Sequence, residues 1–321
     1  MKPGRISPSV SGTWRRALLV TLVLSSQCVR GELWISPVPL TGEPQRAAST
    51  ADKVLYIGEG TYPDGTPAAV GREGVERSAL VIGPDDQVAP ARVRDDRIQF
   101  HAPLKGHHWV FLQQRSLQGE TLQVEVAKYR FYNRQGDVGE SLLKEIRGRT
   151  NESKYGRPPV AAVPFEIVLQ KPQQAHHISC CLYSGDRVRA RLYYRQQALQ
   201  AFSLKTLSDS GWRAEFEADE DGLASFEIPR YRYSDSGSRR RNKQYLLITA
   251  DYQVEEPGTF QGKPYRQMHY RVSRPIDFRP SPLEWAAKLP AFLLLGGVIL
   301  VTGFGVFLYR LRLRRRRYAS V

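Results

Sequence analysis

Hydrophobic and polar residues alternate in short runs along most of the chain, and Gly, Pro and Asp residues separate these runs. In residues 121–127, Leu122, Val124 and Val126 alternate with more polar residues, which is the pattern of a half-buried β-strand. The long helical segments that βαβ units require between strands are not apparent. The pattern therefore predicts a mostly β protein. The predicted strands are 53–57, 78–82, 97–100, 109–112, 121–127, 165–169, 186–194, 202–207, 212–217, 223–229 and 244–252.

The regular spacing of these strands predicts two β-sandwich domains. One segment, 139–148, has three apolar residues at helical spacing and predicts a short helix. The stretch 151–159 after it is polar and contains Pro and Gly, so we place a domain boundary near residue 160. The predicted domains are an N-terminal sandwich, 32–159, and a C-terminal sandwich, 160–280.

The N-terminal segment, 1–31, has the organisation of a secretory signal peptide: a basic start, a short apolar run and small residues near the exit. Val29 and Gly31 are the small residues that predict cleavage just before Glu32. An uncleaved signal anchor is the alternative interpretation, and lipid attachment at Cys28 is another.

Near the other end, residues 289–309 form an apolar stretch without a single charge, long enough to cross a bilayer as a helix. Six arginines follow within residues 310–317. Because basic residues are retained on the cytoplasmic side of a membrane span, the tail 310–321 is predicted to be cytoplasmic and the body extracytoplasmic, or periplasmic. The sequence thus predicts a single-pass protein of the cell membrane.

The net charge of +15 could indicate a nucleic-acid-binding protein, but much of it lies at the two ends. The N-terminal segment holds five basic residues and the tail six, which leaves 36 basic against 32 acidic residues between them. A net charge of +4 on an exported body gives no reason to expect nucleic acid as a partner, whereas the basic tail can serve as a topology signal and contact anionic lipid.

A particular order of strands and turns runs through residues 32–37, 163–168, 184–188, 192–194, 219–229 and 245–250. This order resembles a known family of exported proteins that is grouped with the periplasmic component of nickel/cobalt ABC-type uptake systems. Proteins of that family end in a carboxypeptidase-regulatory-like β-sandwich. The resemblance implies two Ig-like or carboxypeptidase-regulatory-like sandwiches and an accessory role in nickel or cobalt uptake. Members often carry His just before the Trp of the mature N-terminus, where this chain has Glu32-Leu33.

Histidines are the side chains best suited to hold nickel or cobalt. If a metal site exists, its ligands are expected to be His176, His177 and His269, with His107 and His108 as the next pair. Adjacent histidines in a strand point to opposite faces, so a site needs residues from several strands to converge. The alternative is that these histidines are scattered over strands and loops and hold no ion.

Two neighbouring cysteines, Cys180 and Cys181, remain once the signal peptide is removed. In an oxidising compartment the pair can stay as two thiols on opposite faces of a strand, close into a vicinal disulfide, or bind a soft metal. All three alternatives remain open from the sequence. No second pair is present to cross-link the sandwiches, so their stability must come from their hydrophobic cores.

None of the familiar catalytic motifs is present: no Gly-x-Ser-x-Gly, no phosphate-binding Gly loop, no His-Glu-x-x-His and no Cys-x-x-Cys. We therefore expect a non-catalytic, membrane-anchored envelope protein that acts as a binding or accessory module beside a membrane transporter or an envelope protein complex. The alternative is a structural or adhesion-like interaction protein that binds no metal.

Overall fold

The computed structural model describes residues 32–40, 51–68, 73–134, 159–170, 182–230, 244–279, 281 and 288–318. Within these residues the protein is mostly β, with one C-terminal helix, as the alternation predicts. The predicted signal peptide and the predicted helix 139–148 lie outside the described residues.

The described residues before position 160 form eight strands, of which β7 and β8 are the longest. They are β1 (Glu32–Ser36), β2 (Asp52–Gly60), β3 (Thr66–Pro67), β4 (Val75–Ile82), β5 (Val88–Arg94), β6 (Arg97–His101), β7 (Gly106–Gln118) and β8 (Thr121–Asn133).

Eleven strands follow in the described residues after position 160, and the long strands β16 and β19 are neighbours. They are β9 (Phe165–Gln170), β10 (Leu182–Tyr183), β11 (Arg187–Tyr194), β12 (Gln197–Ala198), β13 (Ser203–Ser208), β14 (Arg213–Glu217), β15 (Ala224–Glu227), β16 (Gln244–Val254), β17 (Gly258–Phe260), β18 (Lys263–Tyr265) and β19 (Gln267–Arg279).

One large sheet contains strands from both sides of residue 160, in the order β1-β2-β6-β5-β4-β7-β8-β19-β16-β13-β14. The two sides meet where β8 pairs with β19 in parallel, with Thr121 opposite Gln267 and Ala127 opposite Ser273. A smaller sheet is formed by β9, β11, β12 and β15. The domain boundary near residue 160 stays a prediction, but the strands on its two sides share backbone hydrogen bonds.

The two faces of the large sheet contribute to different hydrophobic clusters. One face packs on the smaller sheet, where Val126 and Tyr270 share a cluster with Phe226. The opposite face of β4, β7 and β8 shares a second cluster with β1, β2 and β6, and β1 also contacts β8 and β19. Since alternate residues of a strand point to opposite faces, β8 and β19 supply side chains to both sides.

A turn at residues 219–222 connects β14 and β15. The carboxylate of Asp219 accepts hydrogen bonds from the backbone N–H groups of Asp221 and Leu223. Gly222 has φ +66°, and a Cβ added there would lie 2.7 Å from the carbonyl oxygen of Leu199, so glycine is required on both grounds.

The C-terminal helix, α1 (Lys288–Tyr318), contains the one segment of the described chain that is long and apolar enough to cross a membrane. This span, Phe292–Arg312, has 21 residues, a mean hydropathy of 2.3 and no buried part. At about 1.5 Å per residue it is roughly as long as the hydrocarbon core of a bilayer is thick. The span overlaps the predicted segment 289–309.

Candidate functional site

Of the predicted metal ligands, the structure describes His269 but not His176 or His177. Cys180 and Cys181 also lie outside the described residues. Among the residues that are described, no group of three or more His, Cys, Asp or Glu side chains could hold a metal ion. The predicted site therefore stays a prediction, and the surroundings of His269 are the part of it that can be analysed.

His269 lies in β19, between side chains of the two neighbouring strands. Its Nδ1 is 2.8 Å from Oε1 of Gln123 in β8, and its Nε2 is 3.4 Å from Oδ1 of Asp251 in β16. The side chain is about a quarter exposed, at 26%. Because both ring nitrogens face oxygen atoms of the protein, the imidazole would have to move or exchange a partner before it could coordinate a metal.

Next to His269, a row of polar side chains crosses five adjacent strands, and we call this row the polar ladder. Its members occupy consecutive register positions, so each stands directly opposite the next. Side chains in this arrangement are close enough to interact across strands. The members are Arg77 in β4, Gln114 in β7, Glu125 in β8, Arg271 in β19 and Asp251 in β16.

Hydrogen bonds connect the polar ladder. Arg77 Nε donates to Gln114 Oε1 at 2.6 Å, and Gln114 Nε2 donates to Glu125 Oε2 at 2.9 Å. At the other end, Arg271 Nε donates to Asp251 Oδ1 at 2.7 Å. Gln114 and Glu125 are buried, so this is a polar network within the fold and not a solvated surface row.

The electrostatics of the ladder favour its charged form. Burial alone would raise the pKa of Asp251, but the contacts with His269 and Arg271 outweigh it and hold that pKa well below its usual range. Burial alone would lower the pKa of Arg271, but the hydrogen bond to Asp251 and its negative charge raise it. Lys205 adds a positive charge 3.5 Å from Asp251 Oδ2. The charges of Asp251 and Arg271 are therefore stabilised by each other, and that of Asp251 also by His269 and Lys205.

Glu32, the first residue of β1, lies beside the polar ladder. Burial raises the pKa of its carboxyl group, while the positive charge of Arg271 opposes the shift and the negative charge of Asp251 adds to it. Its Oε2 atom is buried and has no hydrogen-bond partner among the described residues. The residue predicted to begin the mature chain thus carries a partly unsatisfied carboxylate next to an ionic network.

The second predicted pair, His107 and His108, occupies consecutive positions of β7 and packs against aromatic rings of β8. The His107 ring lies 4.8 Å from that of Tyr132, and the His108 ring lies 6.0 Å from that of Phe131, between centroids. Burial lowers the pKa of His108, although its contact with the carbonyl oxygen of Gly106 opposes the shift. These contacts are those of packed side chains, and they bring no third ligand to the pair.

A second polar cluster, which the sequence interpretation missed, lies on the opposite face of the large sheet. Lys128 of β8 donates hydrogen bonds to the carboxylate of Glu166 in β9 and, at 3.1 Å, to the carbonyl oxygen of Ile167. Arg274 of β19 donates to the same carbonyl at 3.2 Å. We call Lys128, Glu166 and Arg274 the buried ionic cluster, since each is at most 3% exposed.

Trp109 of β7 forms part of the environment of both cations. Lys128 Nζ lies 4.5 Å from the centroid of its ring and Arg274 Cζ lies 4.9 Å from it, within the range of cation–π attraction. Burial, together with the charge of Arg130, lowers the pKa of Arg274 to about 9, although the charge of Glu166 opposes the shift. Because the cluster is enclosed, it can join strands but offers no accessible acid, base or nucleophile.

Sequence comparison assigns no relationship to this protein. No family model matches the chain, and no curated protein is significantly similar to it. The features that bear on function are the β body, the hydrogen-bonded polar ladder beside His269, and the apolar span with arginines at its C-terminal end.

Proposed function

We propose that this protein is a non-catalytic binding or accessory module of the cell envelope, tethered to the membrane by α1 with its β body outside the cytoplasm. The observation that carries the proposal is the apolar span Phe292–Arg312, which follows the β body and is followed by arginines. The positive-inside bias supports the orientation. The absence of catalytic motifs in the sequence supports a role in binding.

Tethering has a quantitative consequence for a binding module. A domain held at the membrane meets a membrane partner at a much higher effective concentration than a freely diffusing domain does. Weak contacts between the β body and a membrane transporter or an envelope protein complex would then be sufficient for function. The mixed polar and apolar exterior of the described strands is compatible with such contacts.

For the ligand, we propose nickel or cobalt, on the strength of the resemblance to exported proteins of nickel/cobalt uptake. The candidates are His176 and His177 together with His269. A site of this kind would require His269 to exchange its contact with Gln123 or Asp251 for the metal.

Calorimetric titration of the full-length protein in detergent with nickel or cobalt tests this proposal. We expect one ion per chain for the unmodified protein and loss of binding in the double variant His176→Ala, His177→Ala. The control is His101→Ala, because His101 is exposed and interacts with Asp52 at 3.0 Å, away from the polar ladder. Binding that survives the double variant, or disappears equally in the control, would contradict the proposed ligand set.

A second candidate function is a structural or adhesion-like envelope protein that binds no metal. The observation that favours it is the occupation of both ring nitrogens of His269 by Gln123 and Asp251. A titration without heat change for either ion would support this candidate, with the tether and the β body retained.

A further inference from the structure

We propose that the C-terminal end of α1 binds anionic phospholipid headgroups through a ring of arginines. The observation is that the helix does not stop where its charge-free stretch, 289–309, stops: it continues to Tyr318. We call the basic residues of this extension the arginine ring. Its members are Arg310, Arg312, Arg314, Arg315, Arg316 and Arg317.

The continuity of the helix sets the depth of the arginine ring relative to the span. At about 1.5 Å per residue, residues 310–318 extend the helix by roughly 13 Å. The headgroup layer on one side of a bilayer is roughly 5–7 Å thick. With the charge-free stretch 289–309 in the hydrocarbon core, the first half of the ring lies at the depth of the lipid phosphates and the second half at the outer edge of that layer.

The spacing of the arginines around the helix distinguishes a spanning helix from a helix that lies on the surface. Successive residues of an α-helix are separated by about 100°, so the six ring positions are distributed around the whole circumference. A helix lying in the membrane surface needs its basic residues on one face and apolar residues on the other. A spanning helix is surrounded by headgroups on every side, and the ring matches that geometry.

The arginines have no acidic neighbours in sequence with which to pair. Residues 288–321 contain no Asp and no Glu, so the i, i+4 ion pairs that neutralise many basic helices cannot form. Arg310 and Arg312 are exposed. The guanidinium group presents a planar fork of donors that matches phosphate oxygens. Residues 288–321 therefore supply no countercharge of their own, and at this depth anionic phospholipid is the group that can supply it.

The test measures which lipids remain with the protein. The full-length chain is reconstituted in nanodiscs that contain phosphatidylcholine and one fifth phosphatidylglycerol, extracted in mild detergent, and the copurifying lipids are quantified by mass spectrometry. The two faces of a nanodisc are equivalent, so the orientation of the protein does not affect the result. We expect phosphatidylglycerol to be enriched over its bulk fraction and the enrichment to decrease with added salt.

The chain offers a matched control, because a second run of three arginines, Arg239 to Arg241, lies in its predicted extracytoplasmic part. Replacing Arg315, Arg316 and Arg317 by Gln removes half of the arginine ring. The logarithm of the enrichment should then fall to roughly half, since each basic residue near the surface adds its own increment of binding free energy. Replacing Arg239, Arg240 and Arg241 by Gln should leave the enrichment unchanged.

Three outcomes would overturn the proposal: no enrichment in the unmodified protein, enrichment that is unchanged when all six ring arginines are replaced by Gln, or equal loss in the two triple variants. A competition with soluble polyphosphate is the last outcome. If polyphosphate abolishes the phosphatidylglycerol enrichment, and more phosphatidylglycerol in the nanodisc does not restore it, the ring binds a soluble polyanion and the lipid assignment is wrong.

Discussion

Lys128 and Glu166 form a buried ion pair between β8 and β9, two strands that lie on opposite sides of residue 160 in the sequence. Their side chains are 0% and 1% exposed. Arg274 joins them through the carbonyl oxygen of Ile167, so that the cluster holds two cations and one anion. The pair therefore ties the smaller sheet to the large sheet at the place where strands from the two halves of the chain meet.

The charge balance of this cluster predicts that Glu166→Gln is more destabilising than Lys128→Met. The first variant removes the negative charge that acts on both Lys128 and Arg274, whereas after the second Arg274 still provides a positive charge near Glu166. We expect Glu166→Gln to lower the free energy of unfolding by about 3–5 kcal/mol. Chemical denaturation of the full-length protein in detergent, followed by tryptophan fluorescence, measures the difference.

The control for this comparison is Glu256→Gln, which removes the partner of Arg195 in a more exposed ion pair. Exposed pairs contribute about 0–1 kcal/mol, so this variant should be close to the unmodified protein. Equal stability of the Glu166 and Glu256 variants would show that the buried ionic cluster does not stabilise the fold.

The lowered pKa of Asp251 predicts that the protein loses stability in acid. Its pKa is lower in the folded than in the unfolded protein, so its contribution to stability is complete above the unfolded value of about 4 and is lost as the pH falls through the folded value. Asp251→Asn should cost about 2 kcal/mol at neutral pH, as expected for loss of charge-assisted hydrogen bonds. The difference should shrink as the solution is acidified.

Unfolding curves from pH 7 to pH 2 for both proteins measure this difference. Glu220→Gln, at an exposed turn position, is the control and should follow the unmodified protein at every pH. If the free energies of unfolding of the Asp251 variant and the unmodified protein differed by the same amount at every pH, the loss of stability in acid could not be assigned to this carboxylate.

The contribution of Glu32 to stability should depend on pH in the opposite direction to that of Asp251. Because burial raises its pKa in the folded protein, the carboxyl group favours folding when protonated, and this contribution is lost as the pH rises through the folded pKa. Glu32→Gln removes the charge, so the variant should be more stable than the unmodified protein at neutral pH, by about 1 kcal/mol. At pH 3 the two proteins should converge. A variant that is less stable at neutral pH would mean that the attraction of Arg271 outweighs the burial cost.

The alternating pattern predicted many of the strands, but it missed β19, which pairs with both β8 and β16. Two residues obscure the pattern of this strand. Arg274 interrupts its apolar positions, and Pro275 lacks the N–H group that a strand residue donates to its neighbour. The structure accommodates the proline between Ser273, where pairing with β8 ends, and Phe278, where pairing with β10 begins.

The buried ionic cluster could not be predicted from sequence patterns either. Lys128 continues the inward series Leu122, Val124 and Val126 in β8, and this was the available signal of burial. Its partner Glu166 is 38 residues away. A single sequence does not show which distant carboxylate meets a buried lysine, because that depends on which strands of the two sheets are superposed. For the same reason, the contacts of His269 with Gln123 and Asp251 could not be anticipated.

The close approach of Trp34 to Gly58 predicts that a single methyl group is enough to disturb the packing under β1. A Cβ at Gly58 would lie 2.4 Å from the indole ring of Trp34, which also packs edge-on against Tyr62 at 5.0 Å between centroids. Gly58→Ala should lower the free energy of unfolding by about 1–3 kcal/mol. The double variant Gly58→Ala, Trp34→Phe should lose less than the sum of its two single variants, because the smaller ring relieves the clash.

The membrane orientation can be tested by protease treatment of intact spheroplasts that express the chain with an epitope after Val321. If α1 spans the membrane with its arginines in the cytoplasm, the protease should digest the β body and leave a small, protected fragment that carries the epitope. In permeabilised cells the epitope should be lost as well. Replacing the six arginines of the arginine ring by Gln should allow a fraction of the chains to insert in the reverse orientation, because the positive charge that is retained in the cytoplasm is then missing. A β body that resists the protease in intact spheroplasts, together with an epitope that is removed, would show that the body faces the cytoplasm, and the proposed envelope function would be wrong.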